Sequence, residues 1–294
     1  MSPKLVMLLD QGSQFLAQQG FEPREARREA ERLLAFSLGI SKSEVLQQNP
    51  SFIEESMERD FLSLLKKRGE HVPLQYLEGE VEFMDFSFRV TPDVLIPRPE
   101  TENLVERILL ECSLPSNILD IGIGSGCILL SLLKYFPESF GTGIDISECA
   151  LKVARENAER LGVADRVLLL SGNLLEDFSD KQFDLIVSNP PYVSGEDWKS
   201  LSLEVKQEPR EALVAGPSGL ECYERIIANA KKYLMPSGKI FFEVGWDQAD
   251  SVMEILNSAG FKNIQKFKDD FGIERIVKAE NHGWIKSLSK AADV

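Results

Sequence analysis

Apolar residues recur at helical spacing over the first quarter of the chain and in short strand-like runs after it. Leu5, Leu8, Leu9 and Phe15 mark a first apolar face. In Phe21-Glu22-Pro23-Arg24-Glu25 a proline stands just inside a helix start, with acids in the first turn, and Ala26, Ala30, Leu33 and Leu34 then continue a second face. Ser41 and Glu44 have the spacing of a capping box. Ile53, Met57, Phe61, Leu64 and Leu65 predict another amphipathic helix, stopped at Gly69. In its last turn Lys66-Lys67-Arg68 would complement the helix dipole. The pattern predicts a small helical bundle over residues 1–75, with no catalytic motif in it.

The period then changes. Val81 to Val90 is aromatic and partly alternating, which predicts a hairpin with Phe83, Met84, Phe86 and Phe88 as its core. Pro92, Pro97 and Pro99 follow and enforce an extended path, so residues 76–98 read as a β-hairpin and linker. Over 99–279, apolar runs at Asn117–Ile121, Phe140–Ile146, Val167–Ser171, Phe183–Ser188 and Ile240–Val244 alternate with helical stretches such as Glu148–Leu161 and Leu220–Leu234. That alternation predicts an α/β domain with a mostly parallel sheet. Ile264–Phe267 and Ile273–Val277, separated by Asp269-Asp270-Phe271-Gly272, predict an antiparallel hairpin at one edge, so that the last strand runs antiparallel. Residues 280–294 read as a tail. No internal repeat or low-complexity segment interrupts this order.

Two motifs stand at predicted strand ends. Asp120-Ile121-Gly122-Ile123-Gly124-Ser125-Gly126 follows the first strand of the sheet and opens a helix. Glycines let the backbone turn sharply and approach a ligand closely. The spacing is D-x-G-x-G-x-G and does not fit the G-x-G-x-x-G of dinucleotide loops: Cys127 or Leu129 would take the third glycine's place. Asp145, about 20 residues further on, ends the next strand where an acid can hold ribose hydroxyls. An acid ahead of the glycines, Asp120, suits a cofactor with a positive sulfur and an amino group. The second motif is Asn189-Pro190-Pro191-Tyr192. Two prolines cannot donate to a ladder, so the preceding strand must stop there. Asn-Pro and Pro-Pro are also ordinary turn punctuation. With the glycine loop upstream, the tetrad becomes a candidate site: Asn189 offers one acceptor and one donor group to a planar amide or amino group, with the Tyr192 ring alongside.

Composition narrows the chemistry. Of 294 residues, 43% are hydrophobic and 27% charged, an ordinary globular balance. No apolar run reaches the length of a membrane span, and the apolar start is too short for a signal-peptide core, so a cytoplasmic protein with no membrane partner is expected. The four cysteines form no CxxC pair and only His71 and His282 are present, which argues against a metal site. Residues 1–75 carry 11 acids and 10 bases, so nearly all of the net charge of −14 lies beyond them. Such a surface suits a basic protein partner better than free nucleic acid. Trp198, Trp246 and Trp284 read as packing residues.

Together these motifs resemble class I S-adenosylmethionine-dependent methyltransferases, and within them the PrmC/HemK protein-glutamine methyltransferases that modify peptide-chain release factors. Pro92-Asp93-Val94-Leu95-Ile96-Pro97-Arg98-Pro99-Glu100-Thr101-Glu102 resembles that family's linker, and Glu208-Pro209-Arg210-Glu211-Ala212-Leu213 with Gly219-Leu220 its stretch after the tetrad. The resemblance implies a Rossmann-like fold and a helical domain that recognises the release factor. It also implies S-adenosyl-L-methionine as cofactor, with S-adenosyl-L-homocysteine as product. Gly122, Ile123, Gly124, Ser125 and Gly126 would wrap the methionine part, Asp145 the ribose, and Asn173 and Leu174 would lie beside the adenine. Where many relatives have an Asp and an aromatic, Asn173-Leu174 loses a charge and a stacking surface. Asn189, Pro190, Pro191 and Tyr192 would bind the substrate, with Asn189, Pro190 and Tyr192 acting in the reaction. The expected reaction is methylation of the side-chain amide of the glutamine in the Gly-Gly-Gln motif of release factors, modulating translation termination, by a monomer. Arg98 and Glu100 would line the substrate entrance or form a linker salt bridge. A ribosomal-protein glutamine methyltransferase, a nucleic-acid amino-methyltransferase and a non-catalytic cofactor-binding protein remain open as alternatives.

Overall fold

The structure, a computed structural model, describes residues 3–46, 53–176 and 182–282. Trp284 and most of the predicted tail lie outside the described residues. The chain falls into two compact units, Met1–Glu80 with Ser202–Gln207, and Val81–Leu201 with Glu208–Val294.

The first unit holds α1 (Pro3–Gln18), α2 (Pro23–Leu38), α3 (Lys42–Leu46), α4 (Glu55–Gly69) and α5 (Leu74–Glu78). Two of these helices show local rules at their ends. Pro23 opens α2, and Gly39, with φ of 65°, closes it in the left-handed conformation. The capping box forms: Glu44 N–H donates to Ser41 Oγ at 3.2 Å, and Ser41 N–H to Glu44 Oε2 at 2.8 Å. The apolar stripes meet in a core of Leu5, Leu8, Leu16, Leu33, Leu34, Phe61 and Leu65. Gly12 lets α1 approach closely, since a Cβ there would sit 2.9 Å from the Phe61 ring.

Arg68, in the last turn of α4, is 1% exposed. Its guanidinium grips Glu29 of α2 in a fork, Nε to Oε2 at 2.5 Å and Nη2 to Oε1 at 2.7 Å, and also donates to Glu204 Oε2 at 2.8 Å. The plane of the group lies over the Phe21 ring at 4.5 Å. Planarity and fixed donors make arginine suited to this role, which lysine could not fill.

The second unit begins with β1 (Glu80–Phe83) and β2 (Phe86–Arg89), then α6 (Pro99–Glu111), β3 (Asn117–Ile121), α7 (Cys127–Tyr135), β4 (Phe140–Asp145), α8 (Glu148–Arg160), β5 (Val167–Ser171) and β6 (Phe183–Ser188). A short pair, β7 (Val193–Ser194) and β8 (Val214–Gly216), precedes α9 (Glu221–Tyr233), β9 (Leu234–Glu243), α10 (Ala249–Ser258), β10 (Lys262–Lys268) and β11 (Glu274–Glu280). Seven strands form one sheet in the order β10-β11-β9-β6-β3-β4-β5. Five of them, β9, β6, β3, β4 and β5, pair in parallel, while β11 runs antiparallel to β9 and to β10. The C-terminal hairpin thus lies at one edge, with the last strand inserted between β10 and β9.

Alternation along the strands divides the core in two. Ile118, Leu185, Val187 and Phe241 pack with Leu104 and Ile108 of α6 and with Leu129 and Leu132 of α7. Leu119, Ile121, Ile186, Ile240 and Phe242 pack with Tyr223 and Ile227 of α9 and Val252 and Leu256 of α10. In the hairpin, Phe83 and Phe88 are buried and meet edge to face at 5.9 Å, with Met84 and Phe86 packed against the same core. β9 begins earlier than its apolar run: the pairing with β6 skips from Phe183↔Leu234 to Leu185↔Lys239, an irregularity spanning Pro236 and Ser237. Trp246, expected to pack, is 71% exposed. It follows the end of β9, beyond the last core position of that strand. No helix among the described residues is long and apolar enough to cross a membrane.

Removing one partner of a buried ion pair strands the other. Arg68→Met should therefore lower the free energy of unfolding by about 3–5 kcal/mol in urea titrations, and Glu29→Met in the same chain should restore most of it. A single variant as stable as the parent would remove the buried pair from the account of this unit.

Candidate active site

Parallel pairing sends the carboxyl ends of β3, β4, β6 and β9 to one edge of the sheet, where a cavity of about 280 Å³ opens. Gly122, Ile123, Gly124 and Ser125 line it from the turn after β3, and Asp145 from the end of β4. Asn173 and Leu174 follow β5, and Asn189 and Pro191 follow β6. Asp120, Gly126, Pro190 and Tyr192 do not line it.

The glycine turn is built as its spacing suggests. Gly122, Gly124 and Gly126 have φ of 76°, 54° and 86°, which side chains rarely adopt. At Gly122 and Gly124 a Cβ would meet nothing within 4 Å, so these positions are open for a ligand to approach. The Gly122 and Ile123 amides are tied down to the Ile144 carbonyl at 2.8 and 3.0 Å. Asp145 completes the turn: Gly124 N–H donates to its Oδ2 and Ser147 N–H to its Oδ1, each at 2.9 Å. Burial raises the Asp145 pKa, against those backbone hydrogen bonds. Asn173 turns its amide to Glu176, Nδ2 to Oε2 at 3.1 Å, and Leu174 sits at φ of 58°.

Asn189-Pro190-Pro191-Tyr192 is held from several sides. Asn189 Nδ2 is 3.4 Å from Thr101 Oγ1 at the start of α6. Gln248 Nε2 donates to the Tyr192 carbonyl at 3.0 Å, and Val193 N–H to the Leu213 carbonyl at 2.9 Å. Gly219, at φ of 81°, must be glycine, since a Cβ would stand 2.5 Å from the Tyr192 carbonyl oxygen. The Tyr192 ring packs in part against the core on the α9 side, and burial pushes its hydroxyl up to about 12. It is not an acid–base group at neutral pH.

The proline-rich linker supplies Asp93, Val94, Leu95, Pro97, Arg98 and Thr101 to the cavity wall. Arg98 lines the cavity and forms a salt bridge to Glu208. The buried Glu208 carboxylate also accepts the Ile96 N–H at 3.0 Å, so the segment after the tetrad pins the linker. Glu100 lies outside the lining. Sequence reasoning also missed Thr101 and Glu243. The signal for Glu243 was an acid closing the apolar run Ile240-Phe241-Phe242. Among the described residues no cluster of His, Cys, Asp and Glu could hold a metal ion.

The parallel sheet with its inserted antiparallel strand, and a glycine turn facing the carboxyl edge, define a class I methyltransferase. Residues 100–272 match the methyltransferase small domain family and residues 7–79 the PrmC N-terminal domain family. The release factor glutamine methyltransferase of Geobacter sulfurreducens is 39% identical over 271 residues, covering 92% of this chain and 94% of its own. That of Thermodesulfovibrio yellowstonii is 42% identical over 255 residues, 85% of this chain and 91% of its own. The hMettl16 catalytic domain, solved in complex with the MAT2A 3'UTR hairpin 1, shares the fold, with a TM-score of 0.55 at 17% identity over 78% of this chain and 82% of its own. The chain belongs to the release factor glutamine methyltransferase family.

Asp120 lies beneath the glycine turn, 1% exposed, with neither carboxyl oxygen in a hydrogen bond of good geometry. Burial pushes it up from 3.8 to about 7; the Leu129 N–H offsets part of this, and the nearby Asp145 charge adds to it. Between those two values the folded protein holds a proton that the unfolded chain has released. Stability from this group is therefore full below pH 3.8 and is lost as pH rises toward 7. Asp120→Asn cannot titrate, so its melting temperature should fall less than the parent's between pH 4 and 8. In unfolding free energy the difference in pH dependence should be on the order of a few kcal/mol. Parallel melting curves for the two proteins would contradict a buried, protonated Asp120.

Proposed function

We propose that this protein transfers the methyl group of S-adenosylmethionine to the side-chain amide nitrogen of the glutamine in the Gly-Gly-Gln motif of peptide-chain release factors, leaving S-adenosylhomocysteine. One observation carries the reading. A proline-locked asparagine, Asn189, opens on the same cavity as a glycine turn whose Cα positions are free for close approach. The family of release factor glutamine methyltransferases supports the choice of substrate.

The lining fits the cofactor. S-adenosylmethionine, when bound, supplies an electrophilic methyl on a positive sulfonium. The backbone of Gly122 to Gly126 would lie along its methionine part, with Asn173 and Leu174 beside the adenine. Asp145 would accept from the ribose hydroxyls; its two oxygens already hold the Gly124 and Ser147 amides, and their remaining lone pairs are fixed in direction by that grip.

An amide nitrogen is a poor nucleophile because its lone pair is delocalised into the carbonyl. Asn189 Oδ1 and the Pro190 carbonyl would each accept one of its N–H groups and hold the nitrogen in line with the methyl. Fixed orientation of this kind can supply several kcal/mol of the barrier. The same acceptors stabilise positive charge as it develops on nitrogen. Tyr192 would pack beside the flat amide. The alkylated nitrogen is acidic enough to lose its proton to water, so no strong base is required. The helical unit would recognise the release factor, and the protein would work as a cytoplasmic monomer.

Mass spectrometry of a release factor incubated with the protein and S-adenosylmethionine should find one added methyl on the Gly-Gly-Gln glutamine. Asn189→Ala should lose about 100- to 1,000-fold in kcat and keep its affinity for the cofactor. An unmodified glutamine, or a fully active variant, would overturn the proposal.

A further inference from the structure

Asn189 faces a difficulty that its turn does not solve. A side-chain amide has an oxygen end and a nitrogen end of nearly the same shape. Only the oxygen end can accept from a substrate NH2; the nitrogen end would set donor against donor. Some neighbour must decide which end faces the cavity.

Glu243 is placed to do so. β6 and β9 pair in parallel with Ser188 beside Phe242, so the next residues, Asn189 and Glu243, are neighbours on the α6 face of the sheet. Glu243 is 2% exposed and Thr101 is also 2% exposed. The Thr101 hydroxyl and the Asn189 amide stand beside the Glu243 carboxyl and favour its charged form, Asn189 Nδ2 is 3.4 Å from Thr101 Oγ1, and Glu243 Oε2 is left with no partner. Arg275 is the cation that faces it, but its guanidinium is directed to the Val244 carbonyl at 3.5 Å and to Asp269 at 3.6 Å. A carboxyl group buried without an ion pair is costly, and an apolar side chain would be the cheaper choice at this strand end.

We propose that Glu243, with Thr101, is the positioning residue that fixes the Asn189 amide, holding Nδ2 inward and turning Oδ1 to the cavity. An ionised carboxylate can only accept, so it pairs with Nδ2 and repels Oδ1. Reversing the amide would set two acceptors against each other and leave Nδ2 without its partner. This inference rests on the methyl-transfer reading above.

It has a pH consequence. Protonated Glu243 carries a donor of its own and can bind Oδ1, which turns Nδ2 toward the substrate. Burial pushes Glu243 up to about 7, against the Thr101 and Asn189 hydrogen bonds and the Arg275 charge, with Glu100 adding to the shift. The other groups that face it are Tyr192, Tyr223 and Cys127, all pushed to about 12 or well above 10, and Asp120 beyond Cys127 at about 7. Methyl transfer should therefore fall as pH drops through about 7 and level off at about a tenth of its value above it, the activity expected of a neutral group at this position.

The test compares parent and Glu243→Gln on an intact release factor from pH 5.5 to 9, with methylation read by mass spectrometry. Glutamine pairs equally well with either amide orientation. Equal orientations alone halve kcat, and looser positioning should bring it to about a tenth. The acid limb should vanish, while cofactor affinity by calorimetry and KM for the release factor stay as in the parent. The Asn189 side-chain NH2 resonances should titrate near pH 7 in the parent without substrate and not in the variant. Should Glu243→Gln fail to fold, Thr101→Val should lower kcat and shift the limb, and Thr101→Ser should restore both. An acid limb that persists in Glu243→Gln belongs to Asp120 and overturns the proposal, as does an unchanged kcat. A parent that leaves the glutamine unmodified overturns the methyl-transfer reading, and this inference falls with it.

Discussion

Parallel strand pairing is the constraint from which the site follows. Strands that run the same way end at the same edge, so the turns after β3, β4, β5 and β6 converge whatever their sequences. A shift of one residue between β6 and β9 would send Asn189 and Glu243 to opposite faces of the sheet. The register is held by alternation: Val187 and Phe241 belong to the α6 and α7 side of the core, Ile186 and Phe242 to the α9 and α10 side. Packing on both faces thus fixes the alignment of polar groups that do no packing themselves.

The polar groups are held by their own hydrogen bonds. Asp145 is tied to backbone amides, Arg98 to Glu208, and the Tyr192 carbonyl to Gln248. The Asp145–Gly124, Arg98–Glu208 and Tyr192–Gln248 contacts each join segments far apart in the chain. Functional side chains on loops need this kind of support, because the scaffold alone fixes only their Cα positions.

Much of this could be read from the chain. Strands with continuous apolar runs, such as Phe183–Ser188, declare themselves because both faces are covered. Glycine turns and Pro-Pro stops are equally legible, since few residues tolerate those conformations. Three features were not. The last-turn position of Arg68 points to a partner for the helix dipole; its burial depends on Glu29 and Glu204, which no local pattern links to it. Trp246 looked like core by residue type, yet its exposure is decided by where β9 ends. Glu243 was hidden by its place in an apolar strand, and its meaning comes only from its neighbour across the sheet. Local chemistry is written locally; pairings across the fold are not.

The discontinuity of the helical unit bears on its synthesis. Glu204 lies 136 residues downstream of Arg68 and within the segment Ser202–Gln207 that belongs to the same unit. At about 5–20 residues per second on the ribosome, roughly 6–25 s separate the emergence of residue 80 from that of Glu204. Through that interval the Arg68–Glu29 fork stands alone, with its third member not yet translated. The part of the protein that is made first is therefore completed only after most of the chain has followed it out.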